Sequence, residues 1–406
     1  MAQPNKREFP YVIRDLTTKD VDQYNKLLRY AFQVTEQELM EYGWESEEIK
    51  QSKFPIIERV DILGGFAGDK LVSQFAVYPL KMNIRNRTYD IGFITSVSTY
   101  PEYTGEGIMS RLMKKSLLRM KEKGQTLALL YPYSIPLYRK FGWEIVSSKI
   151  SFRISDRQIP TNRSAEGQVQ RVDWENDDFI KLHTEFAKQT HGCLYRNSLA
   201  WDEYWRWTED STQVAIYYDR ENQPLGYLVY LLKEDIMHIK EMIYLNREAQ
   251  AGLWEYIHAH DSMIDEVRGN TYSNESIAFD LDDSAIKETV RPYIMGRIID
   301  IPAFLKRYSC KPKEKKITIA FAIRDELLGW NNQTFQVAFQ NGRCYLTEEP
   351  AEYQVAMTIN SLSALLLGYK TAVQLYRLER IDGSVEAINQ LEDVLYHEPP
   401  YISDYI

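Results

Sequence analysis

Two glycines between an apolar segment and an amphipathic one form the clearest candidate binding site. Gly105 and Gly107 follow the β-branched run 94–99, which is typical of a strand, and precede residues 108–120, whose apolar side chains recur at helical spacing. The first N–H groups of a helix lack internal acceptors and favour an anion, and glycine lets a ligand approach the backbone. The pattern therefore favours a phosphate site, although an ordinary strand-helix turn would show the same residues. It lacks the Gly-Lys-Ser/Thr of a P-loop and the GxGxxG of a dinucleotide site.

The elements that must position this turn are predicted to form an antiparallel meander. Residues 58–66, 72–84 and 89–99 alternate like strands and are joined by short polar turns. The helix is followed by an apolar strand at 126–131 and then by the segment PLYRKFGW at 136–143. The elements predicted upstream are a strand within 11–20 and helices at 21–32 and 36–50.

Composition limits the classes of protein to which the chain could belong. A chain of 406 residues, with 44% hydrophobic and 26% charged residues, predicts a soluble protein of two or three domains. The net charge of −9 argues against nucleic acid as a partner. No apolar run reaches the roughly 20 residues of a membrane span, and the N-terminus lacks a secretory signal. The three widely spaced cysteines indicate a cytoplasmic protein, and the absence of HExxH and CxxC motifs predicts no metal site.

The rest of the chain divides into two further regions. The polar stretch 156–170 contains Pro and Gly, which predicts a linker. The next region repeats the earlier plan weakly, and the turn before its helix at 249–260 lacks paired glycines. From residue 290 onward, a predicted meander is followed by helices at 361–368, 372–376 and 385–395.

The order of elements, the turn PEYTGEGIM and the segment LYRKFGW resemble the GCN5-related N-acetyltransferases (GNAT). The whole chain, including RPYIMGRIIDIP at 291–302, resembles the enhanced intracellular survival (Eis) family of these enzymes. The resemblance implies an α+β fold class, with two tandem GNAT-type folds, each a mixed sheet flanked by helices, and then a sterol carrier protein-like domain. The expected domains are an acetyl-CoA-binding GNAT domain at 1–155, a degenerate GNAT-like domain at 156–290 and the sterol carrier-like domain at 291–406.

The resemblance also implies which residues bind acetyl-CoA. In the superfamily the turn reads Arg/Gln-x-x-Gly-x-Gly/Ala, and its amides hold the coenzyme pyrophosphate; here Gly107 matches, whereas Thr104 and Met109 depart. Glu106 adds an anion, so its side chain is expected to turn to solvent. The implied contacts comprise a strand edge that pairs with pantetheine, the turn, and two residues after the next strand. They are Val97, Ser98 and Thr99; Gly105, Glu106, Gly107, Ile108, Met109 and Ser110; and Tyr133 and Ser134.

Acetyl transfer to an amine needs a neutral amine, donors for the oxyanion and a proton for the departing thiolate. Tyr138 matches the tyrosine that the family uses as general acid, in LYRKFGW. Without the resemblance a packed aromatic side chain would be the simpler interpretation, and Tyr131 and Tyr133 are nearby competitors. In the family the C-terminal α-carboxylate is the base, which implies Ile406 for a chain that ends at this residue.

These residues and the resemblance predict an acetyl-CoA-dependent N-acetyltransferase that uses no metal. The acceptor would be an amine of a cationic, aminoglycoside-like small molecule or of lysine. The alternatives are a coenzyme-binding regulator with little turnover, motivated by Thr104, Glu106 and Met109, and a lipid carrier that works through the C-terminal domain. The resemblance further implies a homohexamer, arranged as a trimer of dimers.

Overall fold

The computed structural model describes residues 10–160, 165–272 and 275–406. Within these ranges the strands form three sheets, of eight, seven and five strands, and helices pack against them. The predicted linker at 156–170 includes residues 161–164, which lie outside the described residues; its last part begins a strand at Gln168.

The first 155 residues build most of the first sheet and the helices around it. Their elements are β1 (Val12–Asp15), α1 (Val21–Phe32), α2 (Glu36–Glu41), α3 (Ser46–Gln51), α4 (Phe54–Arg59), β2 (Asp61–Ala67), β3 (Lys70–Ile84), β4 (Arg87–Thr99), α5 (Ile108–Glu122), β5 (Leu127–Leu130), α6 (Ile135–Lys140), β6 (Glu144–Ile145) and β7 (Ser148–Ser155).

Two predictions in this part were wrong in detail. The helix predicted over 36–50 is divided into α2 and α3, because Gly43 between them has a φ of +75°, which ends a helix. The strand predicted from residue 58 begins at Asp61, because α4 occupies Phe54–Arg59. Pro55 lies in the first turn of α4, where proline is compatible with a helix start.

The middle of the chain builds the second sheet. Its elements are β8 (Gln168–Val172), α7 (Asp177–Gln189), β9 (Leu194–Tyr195), α8 (Ser198–Arg206), β10 (Gln213–Tyr218), β11 (Pro224–Lys233), β12 (Ile236–Tyr244), α9 (Arg247–His258), β13 (Glu266–Thr271), β14 (Lys287–Pro292) and β15 (Met295–Ile298).

The last part of the chain builds the five-stranded sheet. Its elements are α10 (Ile301–Leu305), β16 (Ile317–Arg324), β17 (Thr334–Gln340), β18 (Arg343–Leu346), β19 (Tyr353–Thr358), α11 (Ile359–Leu366), α12 (Ala372–Arg377), β20 (Ile381–Gly383) and α13 (Val385–Val394).

The first two sheets exchange strands. The order of the first is β1-β2-β3-β4-β5-β15-β6, with β9 paired to β3, and that of the second is β14-β7-β13-β12-β11-β10-β8. Strand β7 thus leaves the first part of the chain for the second sheet, and β15 returns from the second part to lie between β5 and β6. The boundaries predicted at 155/156 and 290/291 stay predictions about separable units.

Helix α5 packs its apolar face on the first sheet. Ile108, Leu112, Met113 and Leu117 are buried in one cluster with side chains of β2, β3 and β4. A Cβ added at Gly65 of β2 would lie 2.5 Å from the Ile108 side chain, so a larger residue at Gly65 would disturb the packing of the first turn of α5. This close packing holds the start of α5 against the sheet.

Candidate active site

Strands β4 and β5 diverge at the centre of the first sheet. They pair in parallel from Ile91 opposite Leu127 to Ile94 opposite Leu130, and β4 then continues without β5 to Thr99. The other edge of β4 pairs with β3, where the register shifts between Gln74 and Ala76. Among the described residues no strand pairs with the outer edge of residues 95–99, which includes the predicted Val97, Ser98 and Thr99. Main-chain groups along such an edge can pair with the amides of an extended ligand.

The glycine turn lies at the end of this edge. Gly105 and Gly107 have φ values of +89° and +76°, conformations that glycine adopts without strain, and Gly107 is the N-cap of α5. Apart from the adjoining backbone, no atom of the described chain lies within 4 Å of a Cβ built at either position. Ile108, Met109 and Ser110 begin the helix and present its first N–H groups at this open surface.

Two features of the turn were expected to disfavour anion binding: the charge of Glu106, and the departures from the family pattern at Thr104 and Met109. Glu106 is exposed, as expected for a side chain that turns to solvent beside a phosphate site. Thr104 and Met109 still depart from the family pattern, but the turn has the backbone geometry that the pattern provides. The open amides at the start of α5 can therefore donate hydrogen bonds to a diphosphate.

Tyr138 lies on α6, buried in the same apolar cluster as Ile108. Its ring packs edge-to-face on Trp143 at a centroid distance of 6.1 Å, and burial raises its pKa to about 12. Among the described residues no hydrogen-bond partner of its hydroxyl is seen, and the residue is only 6% exposed. Tyr138 is therefore a packed aromatic residue whose hydroxyl stays protonated at neutral pH.

The other predicted residues around α6 have different environments. The side chain of Tyr133 is 94% exposed, and Ser134 is the N-cap of α6. Tyr131 is half-exposed and packs edge-to-face against Tyr405, with ring centroids 5.1 Å apart. Of these three residues, Tyr131 is thus held beside the C-terminal tail, whereas Tyr133 is open to solvent.

Three domain families match the chain in order. Residues 12–146 match one acetyltransferase (GNAT) domain family, residues 192–298 match a second one, and residues 301–403 match the sterol carrier protein domain family. The chain is an N-acetyltransferase. It is built from two tandem GNAT domains followed by a sterol carrier domain, which confirms the predicted fold class.

Similar proteins align with this acetyltransferase over most of its length. An uncharacterized N-acetyltransferase from Streptomyces griseus is 21% identical over 374 residues, which cover 84% of this chain and 88% of the relative. A conserved protein of unknown function from Enterococcus faecalis V583 has a TM-score of 0.87 at 24% identity, covering 98% of this chain and 99% of its own. Eis1 from Mycobacterium abscessus has a TM-score of 0.79 at 17% identity, covering 98% and 100%. These solved structures share the whole three-domain fold.

The second GNAT domain differs from the first at the helix that corresponds to α5. This helix, α9, follows β12, which pairs in parallel with β13 as β4 pairs with β5. Its N-cap is Asn246 rather than glycine. The Asn246 side chain accepts a hydrogen bond of 2.8 Å from the amide of Ala249. A side chain thus already occupies the helix N-terminus that is open in the first domain.

A cavity of about 310 Å³ lies between the two GNAT domains, beside the diverging strands. Its wall is mostly aromatic and aliphatic, and it includes Ser96 of β4 and the last residue, Ile406. The lining residues are Tyr24, Leu28, Phe32, Val34, Glu38, Tyr42, Lys53, Tyr78, Thr95, Ser96, Glu203, Trp207, Tyr405 and Ile406. The structure therefore brings together the edge of β4 and residue 406, which are more than 300 positions apart in the sequence.

Charged residues that sequence reasoning missed lie at one end of this cavity. Glu203 accepts a hydrogen bond of 2.9 Å from the Tyr78 hydroxyl and forms an ion pair of 3.0 Å with Arg206. Burial lowers the pKa of Lys53 to about 8, and the nearby charge of Arg206 adds to this effect. Burial alone would raise the pKa of Glu203, but the charges of Arg206 and Lys53 together lower it. The only local signal was the i,i+3 spacing of Glu203 and Arg206, which is common on exposed helices.

A buried ion cluster anchors the C-terminal tail. Arg196 donates two hydrogen bonds, of 2.9 and 2.7 Å, to the Glu241 carboxylate and one of 2.6 Å to Asp404. The side chains of all three residues are at most 2% exposed. The Tyr293 hydroxyl donates to the carbonyls of Ser403 and Asp404, at 3.3 and 3.2 Å. These contacts hold the tail between the two GNAT domains, directly before Tyr405 and Ile406 line the cavity.

The described part of the chain shows neither a metal-binding group of side chains nor a membrane-spanning helix. No group of three or more His, Cys, Asp or Glu side chains there is placed to hold a metal ion. None of its helices is both long and apolar enough to cross a membrane.

Proposed function

We propose that this N-acetyltransferase transfers the acetyl group of acetyl-CoA to an amine held in the cavity between its GNAT domains. Tyr138 would be the general acid, and the α-carboxylate of residue 406 the base, in a chain that ends there. The observation that carries the proposal is the position of β4, whose unpaired edge at 95–99 leads to the open glycine turn and borders, at Thr95 and Ser96, the cavity that residue 406 also lines.

The proposed coenzyme site fits the groups that acetyl-CoA carries. The outer edge of Val97–Thr99 offers main-chain groups to the pantetheine amides, and residues 105–110 offer amides to the diphosphate. Acetyl-CoA would supply the thioester whose carbonyl carbon is attacked. Tyr133 and Ser134, at the start of α6, stay predicted contacts.

The proposed roles balance the protons of the reaction. The amine nitrogen attacks the thioester carbonyl, the new C–N bond forms, and the C–S bond breaks. The Tyr138 hydroxyl gives its proton to the departing thiolate and regains one from solvent. The carboxylate at residue 406 takes the proton lost by the amine, directly or through a water. With a pKa near 3.5 an α-carboxylate is a weak base, so it would also act by attracting the ammonium form.

The cavity suits an organic amine. Tyrosine and tryptophan rings can bind a cationic amine through their faces, and the carboxylates of Glu38 and residue 406 would add attraction. We therefore keep as acceptor a cationic small molecule, aminoglycoside-like or with a lysine-type amine. The homohexamer and the cytoplasmic location stay predictions from resemblance and composition.

Thiol release tests this function. Acetyl-CoA would be incubated with polyamines, aminoglycosides and lysine peptides, and release of free coenzyme A would be followed at steady state. Release that depends on an amine supports the proposal. Tight acetyl-CoA binding without release would favour the coenzyme-binding regulator, and lipid that copurifies with the sterol carrier domain would favour the carrier.

Replacing Gly107 with Glu should abolish acetyl-CoA binding, because it places a carboxylate at the open amides. Calorimetric titration with acetyl-CoA measures this loss. Gly124→Glu is the matched control, since Gly124 lies at the other end of α5 with a φ of +74°, close to the +76° of Gly107, and, apart from the adjoining backbone, neither has an atom of the described chain within 4 Å of its built Cβ. Equal losses in both variants would show that backbone strain, rather than a phosphate site, is responsible.

Adding residues after Ile406 should lower the transfer rate by about 10²–10⁴-fold, the range typical of a lost acid–base group. The extension moves the negative charge away and crowds a residue that is only 9% exposed. Acetyl-CoA affinity, measured by calorimetry, should not change, because residues 97–110 form that site. The control carries the same extension at the N-terminus. Full activity of the C-terminally extended protein would place the base elsewhere.

A further inference from the structure

A row of basic side chains crosses one face of the second sheet. Lys287 of β14 lies directly opposite Arg153 of β7, Arg153 opposite Arg268 of β13, and Arg268 opposite His238 of β12. All four residues line a groove of about 640 Å³ between this sheet and the segment that follows α8. Residues directly opposite in neighbouring strands have Cβ atoms about 5 Å apart, and like charges in such positions repel.

The positive charge of this row is only partly compensated. Glu266 forms ion pairs with both Arg153 and Arg268, so two guanidinium groups share one carboxylate. Within the described chain neither Lys287 nor Arg291, which also lines the groove, forms an ion pair, and both are exposed. Glu209, on the opposite wall, is paired with Lys233 at 3.1 Å. The groove is thus a local excess of positive charge on a chain whose net charge is −9.

The same positive charges contribute to the pKa shifts of two neighbouring groups, His238 and Lys149. The pKa of His238 is lowered, first by burial and then by the charge of Arg268. The pKa of Lys149, which lies opposite Arg291, is lowered by burial and by Arg291. An anion placed over the row would relieve this repulsion.

The groove shares a wall with the proposed acceptor cavity. Tyr42 and Trp207 line both spaces, and their rings pack edge-to-face at a centroid distance of 5.7 Å. One pair of aromatic side chains therefore separates the site proposed for the amine from the basic face. A molecule that extends past these rings would lie in both spaces.

We propose that the basic groove binds an anionic group, a phosphate or phosphonate, of the acceptor whose amine enters the cavity. The acceptor is then bipartite, with an amine at one end and an anion at the other. This proposal rests on the acetyltransferase function proposed above, and among acceptors with a lysine-type amine it selects those that also carry an anion. Lys287 and Arg291 contribute to specificity by binding the anion, and they take no part in the transfer of the acetyl group.

The kinetic test compares ω-aminoalkyl phosphonates with ω-aminoalkanols of the same chain lengths. At the best length, the phosphonate should have a KM about 10-fold lower or more, as expected for one or two charge-assisted hydrogen bonds, with kcat within a few-fold. Lys287→Gln combined with Arg291→Gln should remove this preference. The control variant, Lys181→Gln with Arg220→Gln, removes the same charge at two exposed positions outside the groove and should retain it. Equal KM values for both compounds in the parent protein would overturn the bipartite acceptor.

A binding measurement keeps the two proposals distinguishable. Inorganic diphosphate would be titrated into the Gly107→Glu protein, in which the coenzyme turn is blocked. Affinity should fall about 10-fold or more when Lys287 and Arg291 are also replaced by Gln, and should not change with the control pair. If no amine is acetylated, the proposed function fails, but this titration still tests whether the groove binds an anion. Diphosphate affinity that is independent of Lys287 and Arg291 would overturn the anion site.

Discussion

Replacing Tyr138 with Phe should lower kcat by about 10²–10⁴-fold while acetyl-CoA affinity stays within a few-fold. The change removes one oxygen and leaves the ring in its packing against Trp143, so the apolar cluster is retained. Burial raises the pKa of Tyr138 to about 12, and the hydroxyl is therefore protonated throughout the neutral range. Steady-state thiol release gives kcat, and calorimetry gives the coenzyme affinity.

The matched control for this variant is Tyr376→Phe. Tyr376 lies on α12 in the sterol carrier domain and is 38% exposed, so the same atom is removed far from the proposed site. Its kcat should equal that of the unmodified protein. If Tyr138→Phe retained full turnover, the acid would have to be sought at Tyr131 or Tyr133. The position of Tyr131 against Tyr405 makes it the first to test.

Replacing Arg196 with Met should destabilise the protein by about 3–5 kcal/mol, because it leaves two buried carboxylates without their cation. Glu241 and Asp404 are each only 2% exposed, and burial already raises the pKa of Asp404. Loss of the pair also frees the tail, so residue 406 should leave the cavity and turnover should fall. Denaturant unfolding measures the first effect, and thiol release at low temperature, where the variant is still folded, measures the second.

Neutralising the two unpaired carboxylates separates the loss of stability from the loss of turnover. Arg196→Met combined with Glu241→Gln and Asp404→Asn should regain part of the lost stability, because neutral amides are easier to bury than unpaired carboxylates. Turnover should recover less, since the charged contact that orients the tail is still absent. A loss below about 1 kcal/mol in the single variant would mean that water reaches the cluster and that the tail is held by its other contacts.

The sterol carrier domain supports the helix that carries the proposed acid. Asn360, at the start of α11, donates to the carbonyls of Arg139 and Trp143, at 3.0 and 2.8 Å. Arg297 of β15 donates to the carbonyl of Phe141 at 2.6 Å and forms a buried ion pair with Asp325, just after β16. These contacts fix the C-terminal end of α6 and the turn that follows it. They provide a structural reason for a third domain in a transferase, whether or not that domain also binds a lipid.

Local patterns in the sequence were sufficient for most elements. Helix α1 begins and ends at the predicted residues, and α5 extends only two residues beyond the predicted apolar face. Helical periodicity arises between residues three or four apart, so neighbouring residues reveal it. The interruption at Gly43 and the proline-initiated α4 were missed, because a short break or a single turn changes the pattern over too few residues.

The glycine turn and its helix were also readable from the sequence, since backbone freedom at Gly105 and Gly107 and open amides at a helix start depend on adjacent residues. The return of β15 to the first sheet and the meeting of Lys53 with Glu203 depend on how distant segments pack. The basic row is of the same kind, because each residue is unremarkable on its own strand and the charges accumulate only when four strands align in register. Interactions between residues more than a hundred positions apart follow from the burial of whole sheet faces, and no short stretch of sequence records them.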